Sequence, residues 1–220
     1  MDDAHILSHV DHTLLKATAT WSEIENLCDE AIKFKTASVC IPASYVRSVR
    51  TAYKDLVICN VIGFPLGYDA MATKALAAQA AIDDGTDEID MVVNLTNVKN
   101  SEYENILAEI SVIKRIIGKK ILKVIIETCY LTEEEKIKLC KIVTEAEADY
   151  IKTSTGFGTA GATLADIELF KANIGPEVKM KAAGGIRTRE DMIAFLEAGC
   201  SRLGTSSAIK ILTEGKGEGY

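Results

Sequence analysis

Short β-type segments alternate with longer helical segments along the whole of this 220-residue chain. The short segments read as continuous apolar runs rich in β-branched residues, which is typical of parallel strands buried on both faces. Eight such strands with helices between them close a barrel. The predicted strands are Val10–Leu14, Ser38–Ile41, Val57–Ile62, Glu88–Asn94, Lys120–Glu127, Tyr150–Thr153, Val178–Ala182 and Arg202–Gly204.

We therefore expect an α/β fold with a single (β/α)8 TIM-barrel domain over residues 1–220. A short helical lead-in precedes the first predicted strand, and a flexible C-terminal tail begins at about residue 213. The rival architecture is a doubly wound open sheet, but no GxGxxG motif follows an early strand and no GxxxxGK[ST] motif occurs. Thr20 with Glu23 and Thr132 with Glu135 form capping boxes that predict two of the helices.

Charge and cysteine spacing exclude several function classes. Lys and Arg total 25 against 32 Asp and Glu, a formal net charge of −7, so neither nucleic acid nor an anionic membrane is an expected partner. The apolar runs fall far below the roughly 20 residues of a membrane span. The six cysteines form no CxxC pair, and the three histidines crowd the N-terminus. We expect reduced thiols, a cytoplasmic protein and no zinc site.

Two lysines lie inside apolar strand segments. Lys152 is on the sixth predicted strand and Lys181 on the seventh, and these strands are neighbours in a barrel. Burial and a second ammonium nearby both favour a neutral, nucleophilic amine, which is the preparation for a Schiff base with a carbonyl substrate. The alternative is that Lys179 and Lys181 reach outward to solvent, and the glycine pair Gly184–Gly185 directly after the strand argues against it.

Asp90 lies among apolar residues of the fourth predicted strand, where an isolated carboxylate would be costly. It either pairs with an inward lysine or transfers protons in a reaction, and the two roles can coexist. Asp11 and Thr13 share one side of the first strand and could reach the same cavity. His12 points the other way, so we interpret it as a structural histidine.

Glycine-bearing loops follow the seventh and eighth predicted strands. Barrels often bind phosphate there, because bare backbone N–H groups and a helix N-terminus meet an anion without a formal positive charge. In the sixth loop, Thr155 is a possible ligand for phosphate or for a hydroxyl group. The candidate substrate-binding residues are Asp11, Thr13, Thr155, Gly156, Gly184, Gly185, Gly204, Thr205, Ser206 and Ser207.

Together these motifs resemble the deoxyribose-phosphate aldolase family. The resemblance implies a class I aldolase, a lyase without metal or cofactor, that reversibly cleaves 2-deoxy-D-ribose 5-phosphate to D-glyceraldehyde 3-phosphate and acetaldehyde. It also implies a homodimer or a higher homo-oligomer. The segments that carry the resemblance are Asp11–Thr13, Val61–Gly67, Glu88–Val92, Lys152–Phe157, Lys181–Thr188 and Gly204–Ser207.

The resemblance also assigns catalytic roles. Lys152 would form the Schiff base, Lys181 would keep that amine neutral, and Asp90 would transfer protons through water. The C-terminal Tyr220 would reach into the site and assist proton transfer. The chain departs from some relatives at Phe157, where they carry a lysine near the phosphate, so phosphate binding would rest more on backbone donors. The phosphate would be held by Gly185, Gly204, Ser206 and Ser207.

Two other functions stay open. One is another class I sugar-phosphate aldolase on the same barrel, because Schiff-base chemistry alone does not select the substrate. The other is a phosphosugar-binding barrel without turnover. The combination of Asp90, Lys152 and Lys181 argues against the second, since a binding protein has little use for two costly interior lysines.

Overall fold

The computed structural model describes residues 1–215. Eight parallel strands close a barrel in chain order, with β8 hydrogen-bonded to β1. The predicted barrel is therefore confirmed. The strands are β1 (Val10–Thr13), β2 (Ser38–Ile41), β3 (Ile58–Ile62), β4 (Glu88–Val92), β5 (Ile121–Ile125), β6 (Tyr150–Lys152), β7 (Lys179–Ala183) and β8 (Arg202–Thr205).

The helices surround the barrel, and α1 is the predicted lead-in before β1. Thr213 and Glu214, placed in the tail by the sequence analysis, complete α10, and Gly215 caps it. The rest of the predicted tail lies outside the described residues. The helices are α1 (Asp3–Leu7), α2 (Trp21–Phe34), α3 (Val46–Ala52), α4 (Met71–Asp84), α5 (Leu95–Lys99), α6 (Tyr103–Ile117), α7 (Glu133–Glu145), α8 (Leu164–Asn173), α9 (Arg189–Ala198) and α10 (Ala208–Glu214).

Local sequence signals fix where these helices begin. Both predicted capping boxes are present, at Thr20 before α2 and at Thr132 before α7. A third, formed by Thr188 and Asp191, starts α9. Each box satisfies backbone N–H groups that the first helical turn leaves without partners. The boxes thereby fix the residues at which α2, α7 and α9 begin.

The apolar core lies between the barrel and its helices. Ile89 and Met91 of β4 and Leu122 and Val124 of β5 are fully buried in it. Because side chains alternate along a strand, the residues between them point into the barrel. Among residues 1–215, no helix has the length and apolar composition of a membrane span.

Candidate active site

Charged side chains fill the barrel interior, where many barrels hold apolar layers. The strand register sets Lys152 of β6 opposite Lys181 of β7, and Asp90 of β4 opposite Lys123 of β5. The side chain of Lys152 is 4% exposed, and the other three are fully buried. Lys179, two residues before Lys181, is exposed instead. Lys181 therefore lies inside the barrel and does not reach solvent.

Asp90 accepts hydrogen bonds from three lysines. Its Oδ2 lies 2.7 Å from Nζ of Lys152 and 2.7 Å from Nζ of Lys181, and its Oδ1 lies 2.9 Å from Nζ of Lys123. Burial raises the pKa of this carboxyl, but the three ammonium groups outweigh burial and hold the pKa well below its ordinary value. Asp90 is therefore a carboxylate that links Lys152 to Lys181 through a single oxygen.

Asp11 lies deeper in the same network. It accepts hydrogen bonds from Nζ of Lys181 at 2.5 Å, from the Ser38 hydroxyl at 2.8 Å and from the Arg202 guanidinium. The side chain is fully buried and is not among the residues that line the cavity described below. The structure thus places Asp11 as a partner of Lys181, whereas the sequence analysis expected it to bind substrate.

Three charged members of this network were not predicted: Glu88, Lys123 and Arg202. Arg202 contacts both carboxylate oxygens of Glu88, at 2.8 and 3.0 Å. Nζ of Lys123 lies 2.6 Å from Glu88 and 3.5 Å from Asp11. Each of the three stands within a predicted strand, but only closure of the barrel brings them together. No short sequence motif signals such a set.

Cations exceed carboxylates in this network. Among the described residues, Lys152 pairs with one carboxylate, Asp90, whereas Lys181 pairs with two. The cations are Lys123, Lys152, Lys181 and Arg202, and the carboxylates are Asp11, Glu88 and Asp90.

Lys181 behaves differently from the sequence expectation that burial favours its neutral form. Burial does oppose its charge, but the carboxylates of Asp11 and Asp90 outweigh burial, and the pKa of Lys181 is raised. The sequence expectation took into account the neighbouring ammonium of Lys152 but not the second carboxylate, Asp11, which contacts Lys181 in the folded protein. Lys181 is therefore a fixed ammonium one strand away from Lys152.

A cavity of about 210 Å³ opens where the strands end, with Lys152 in its wall. Asp90 and Lys181 are not among its lining residues, so within residues 1–215 Lys152 alone connects the buried network to the cavity. Leu15, Ala183 and Ile186 supply apolar surface. The structure brings together ten predicted site residues in this wall: Thr13, Lys152, Thr155, Gly156, Gly184, Gly185, Gly204, Thr205, Ser206 and Ser207.

The loops after β7 and β8 form one side of the cavity. Gly184 and Gly185 have φ of 77° and 74°, a left-handed conformation that favours glycine. A Cβ at Gly184 would also lie 3.2 Å from the backbone of Gly161 in the preceding loop. Arg187, which the sequence analysis missed, also lines this side of the cavity. Backbone N–H groups, hydroxyls and a guanidinium are the donors that bind phosphate.

Within residues 1–215, one group of side chains has the composition of a metal site. Ligand atoms of Cys40, Cys59 and Asp90 lie within 4.8 Å of one another. Nζ of Lys123 already contacts Cys59 at 3.3 Å and Asp90 at 2.9 Å. Burial raises the pKa of the Cys59 thiol well above its ordinary value. A protonated thiol beside an ammonium does not fit a metal cation.

Three further predictions concern residues outside the cavity wall. Nε2 of His12 lies 2.8 Å from the Glu30 carboxylate of α2, on the outer side of β1, in agreement with a structural histidine. The ring of Phe157 packs edge-to-face on Phe64 with centroids 5.4 Å apart, which joins the loops after β6 and β3. Tyr220 lies outside the described residues, so its role stays a prediction.

Comparisons with known proteins agree on one family. A family model described as DeoC/LacD family aldolase matches residues 5–209. A Clostridium botulinum (strain Eklund 17B / Type B) protein named deoxyribose-phosphate aldolase is 58% identical over 221 residues and covers 100% of both chains. The solved structure of the aldolase QR15 is 39% identical, with a TM-score of 0.91 and 95% of each chain covered.

A more distant solved structure is the tetrameric deoxyribose phosphate aldolase of Aeropyrum pernix. It is 29% identical, has a TM-score of 0.87, and the match covers 96% of this chain and 91% of that one. The family model spans nearly all of the barrel, and the curated relative spans the whole chain. The chain therefore belongs to the DeoC/LacD family of aldolases.

Proposed function

We propose that this protein is a deoxyribose-phosphate aldolase. It reversibly cleaves 2-deoxy-D-ribose 5-phosphate to D-glyceraldehyde 3-phosphate and acetaldehyde through a Schiff base on Lys152. The position of Lys152 carries the proposal: it extends from a surplus-positive network into a cavity whose far side is rich in glycine and hydroxyl donors. The name of the Clostridium botulinum relative supports this choice of substrate.

The reaction needs a nucleophilic amine and an electron sink. The Nζ of Lys152 attacks the C1 aldehyde, water leaves, and a protonated imine forms. The C2–C3 bond then breaks, its electrons move toward the imine, and the C3 hydroxyl loses its proton to become the carbonyl of glyceraldehyde 3-phosphate. The enamine that remains takes a proton at C2, and water releases acetaldehyde and free Lys152.

Asp90 and Lys181 are placed to move protons next to Lys152. Oδ2 of Asp90 lies 2.7 Å from both amines, whereas Oδ1 accepts from Lys123 at 2.9 Å and from the Cys59 thiol at 3.1 Å. A carboxylate offers about four acceptor positions, and all are taken. We therefore expect Asp90 to exchange protons with the two amines, not directly with water.

We assign the phosphate group to the loops after β7 and β8. Gly185 lies in the loop after β7, and Ser207 lies in the loop after β8. Arg187 lines the same cavity and would supply a positive charge that the sequence analysis did not predict. Phe157 packs against Phe64, as described above, and its side chain brings no charge to the phosphate, in line with the expectation that phosphate binding rests more on backbone donors. Backbone donors and one guanidinium are together sufficient for a monoester phosphate.

Gly185→Ala should raise KM for 2-deoxyribose 5-phosphate by about tenfold and leave cleavage of unphosphorylated 2-deoxyribose nearly unchanged. The φ of 74° strains an L-residue by roughly 1–2 kcal/mol, which displaces the loop backbone at the cavity wall. Gly118→Ala is the control, since its positive φ of 59° also strains an L-residue, an added Cβ meets nothing within 4 Å, and it ends α6 outside the cavity. Equal changes of KM for both substrates would contradict the phosphate assignment.

A substrate panel tests the proposed function directly. With a chelator present, the protein should convert 2-deoxyribose 5-phosphate to acetaldehyde and glyceraldehyde 3-phosphate, as followed by NMR. A higher kcat/KM for fructose 1,6-bisphosphate or a keto-deoxy sugar acid would indicate a different class I aldolase. Binding of 2-deoxyribose 5-phosphate without turnover would indicate a phosphosugar-binding barrel.

We further propose that the enzyme is a homo-oligomer and works in the cytoplasm. The tetramer described for the Aeropyrum pernix relative supports the first point. The second rests on the cysteines, all six of which are free thiols in the structure and five of which are buried. Light scattering of the purified chain measures the oligomeric state, and a monomer at micromolar concentration would contradict the proposal.

A further inference from the structure

Glu127 is a buried carboxyl residue that the mechanism above does not use. It lies two residues after the end of β5, is 2% exposed, and has a φ of 52°, which is uncommon for a residue with a side chain. Its carboxyl group points toward the loop after β6, the loop that carries Thr155 into the cavity wall. A backbone held in this conformation next to a reaction site indicates a positioning role.

Glu127 holds the loop at two points. Its Oε1 accepts the backbone N–H of Thr155 at 3.1 Å, and its Oε2 accepts the Thr155 hydroxyl in a very short hydrogen bond. A Cβ on Gly158 would lie 3.2 Å from Oε1, so that the loop backbone passes directly over the carboxyl group. A single side chain from the loop after β5 therefore contacts the segment from 155 to 158.

The hydrogen bonds of the Thr155 hydroxyl determine what it can offer a ligand. A hydroxyl has one hydrogen to donate and two lone pairs to accept with. The hydrogen goes to Glu127, and one lone pair accepts the backbone N–H of Phe157 at 3.0 Å. Among the contacts of the described residues, this leaves one lone pair at the cavity. Thr155 can therefore accept a hydrogen bond from a ligand but cannot donate one.

We propose that Glu127 is a positioning residue for substrate specificity, because it fixes Thr155 as the acceptor for a substrate hydroxyl and keeps phosphate away from this side of the cavity. The inference rests on the proposed function. Phosphate oxygens are acceptors and carry negative charge, so neither Thr155 nor the carboxyl group behind it suits them. From the sequence, Thr155 could bind either a phosphate group or a substrate hydroxyl. The hydrogen bonds that its side chain already makes favour a substrate hydroxyl.

The hydroxyl that fits is the one on C4 of 2-deoxyribose 5-phosphate. It is a donor in the open-chain substrate and stays a donor in glyceraldehyde 3-phosphate. The C3 oxygen, in contrast, becomes a carbonyl on cleavage and then needs a donor. A group that only accepts can hold the C4 hydroxyl through the whole reaction.

The test compares two acceptor aldehydes in the synthetic direction with acetaldehyde. One is D-glyceraldehyde 3-phosphate, and the other is 3-oxopropyl phosphate, which lacks the hydroxyl in question. In the wild type kcat/KM should favour the first by about tenfold. Both Glu127→Gln and Thr155→Val should reduce this ratio to about two or less. The amide of Gln accepts the Thr155 N–H with its oxygen and donates an N–H to the Thr155 hydroxyl, which then turns its own hydrogen toward the ligand and no longer accepts from it. Val removes the hydroxyl altogether.

Glu109→Gln is the matched control, because Glu109 is buried on α6 outside the barrel and pairs with Lys74 at 2.9 Å. This variant loses a buried carboxylate but should keep the wild-type ratio. Inhibition by inorganic phosphate should be the same in Thr155→Val as in the wild type. If Glu127→Gln does not fold, Thr155→Val carries the test alone.

Two results would overturn the inference. One is an equal loss of kcat/KM for both aldehydes in Thr155→Val. The other is a severalfold weaker inhibition by inorganic phosphate in Thr155→Val, as expected if the Thr155 hydroxyl bound the phosphate group. Failure of the wild type to join acetaldehyde to glyceraldehyde 3-phosphate would instead reject the proposed function, so the two failures are distinguishable.

Discussion

Lys152→Met should lower kcat/KM for 2-deoxyribose 5-phosphate by roughly 10⁴-fold or more while the protein stays folded. The thioether cannot form an imine, and within residues 1–215 no other lysine lines the cavity. Asp90 keeps its contacts with Lys123 and Lys181, so the free energy of unfolding should change by no more than about 1–2 kcal/mol. Steady-state kinetics and urea unfolding measure the two effects.

Lys152→Arg separates charge from nucleophilicity. A guanidinium keeps a cation beside Asp90 but is not a nucleophile in proteins. We expect it to be as inactive as the methionine variant. Substantial turnover by either variant would show that the reaction does not pass through an imine on Lys152.

Asp90→Asn should lower the free energy of unfolding by about 3–5 kcal/mol and also abolish turnover. The substitution leaves four buried cations with two carboxylates, and the new amide can turn an N–H toward an ammonium. Denaturation by guanidinium chloride, with enzyme activity measured on the folded fraction, gives both quantities.

Asp87→Asn is the control for this second prediction. Asp87 also contacts two cations, Arg50 at 2.5 Å and Lys120 at 3.0 Å, but its side chain is 32% exposed. Solvent weakens such pairs, so we expect a loss of about 1 kcal/mol or less and normal activity. Equal losses for Asp87→Asn and Asp90→Asn would mean that burial of the network does not matter.

The barrel and its lysine pair follow from the sequence because their signals are local. The alternation of apolar runs with capped helices needs no knowledge of distant contacts, and neither does the placement of two lysines on successive strands. Strand ends were less certain: Asn94 was expected in β4 but caps α5, a short helix that the apolar pattern did not indicate.

The electrostatics of the site could not be read in the same way. Lys123, Glu88 and Arg202 stand on three different strands, and their contacts exist only once the barrel has closed. Whether a buried lysine loses or keeps its proton depends on how many carboxylates surround it. Lys181 keeps its charge for that reason. Glu127 was hidden because its left-handed backbone has no signature in the sequence.

Covalent trapping tests the central claim most directly. The wild-type protein is incubated with acetaldehyde and a chelator, reduced with borohydride, and examined by intact mass and peptide mapping. We predict one stable ethyl adduct per chain, on Lys152, and none on Lys181 or Lys123. A reduced adduct on another lysine, or no adduct on a protein that cleaves 2-deoxyribose 5-phosphate, would contradict the account.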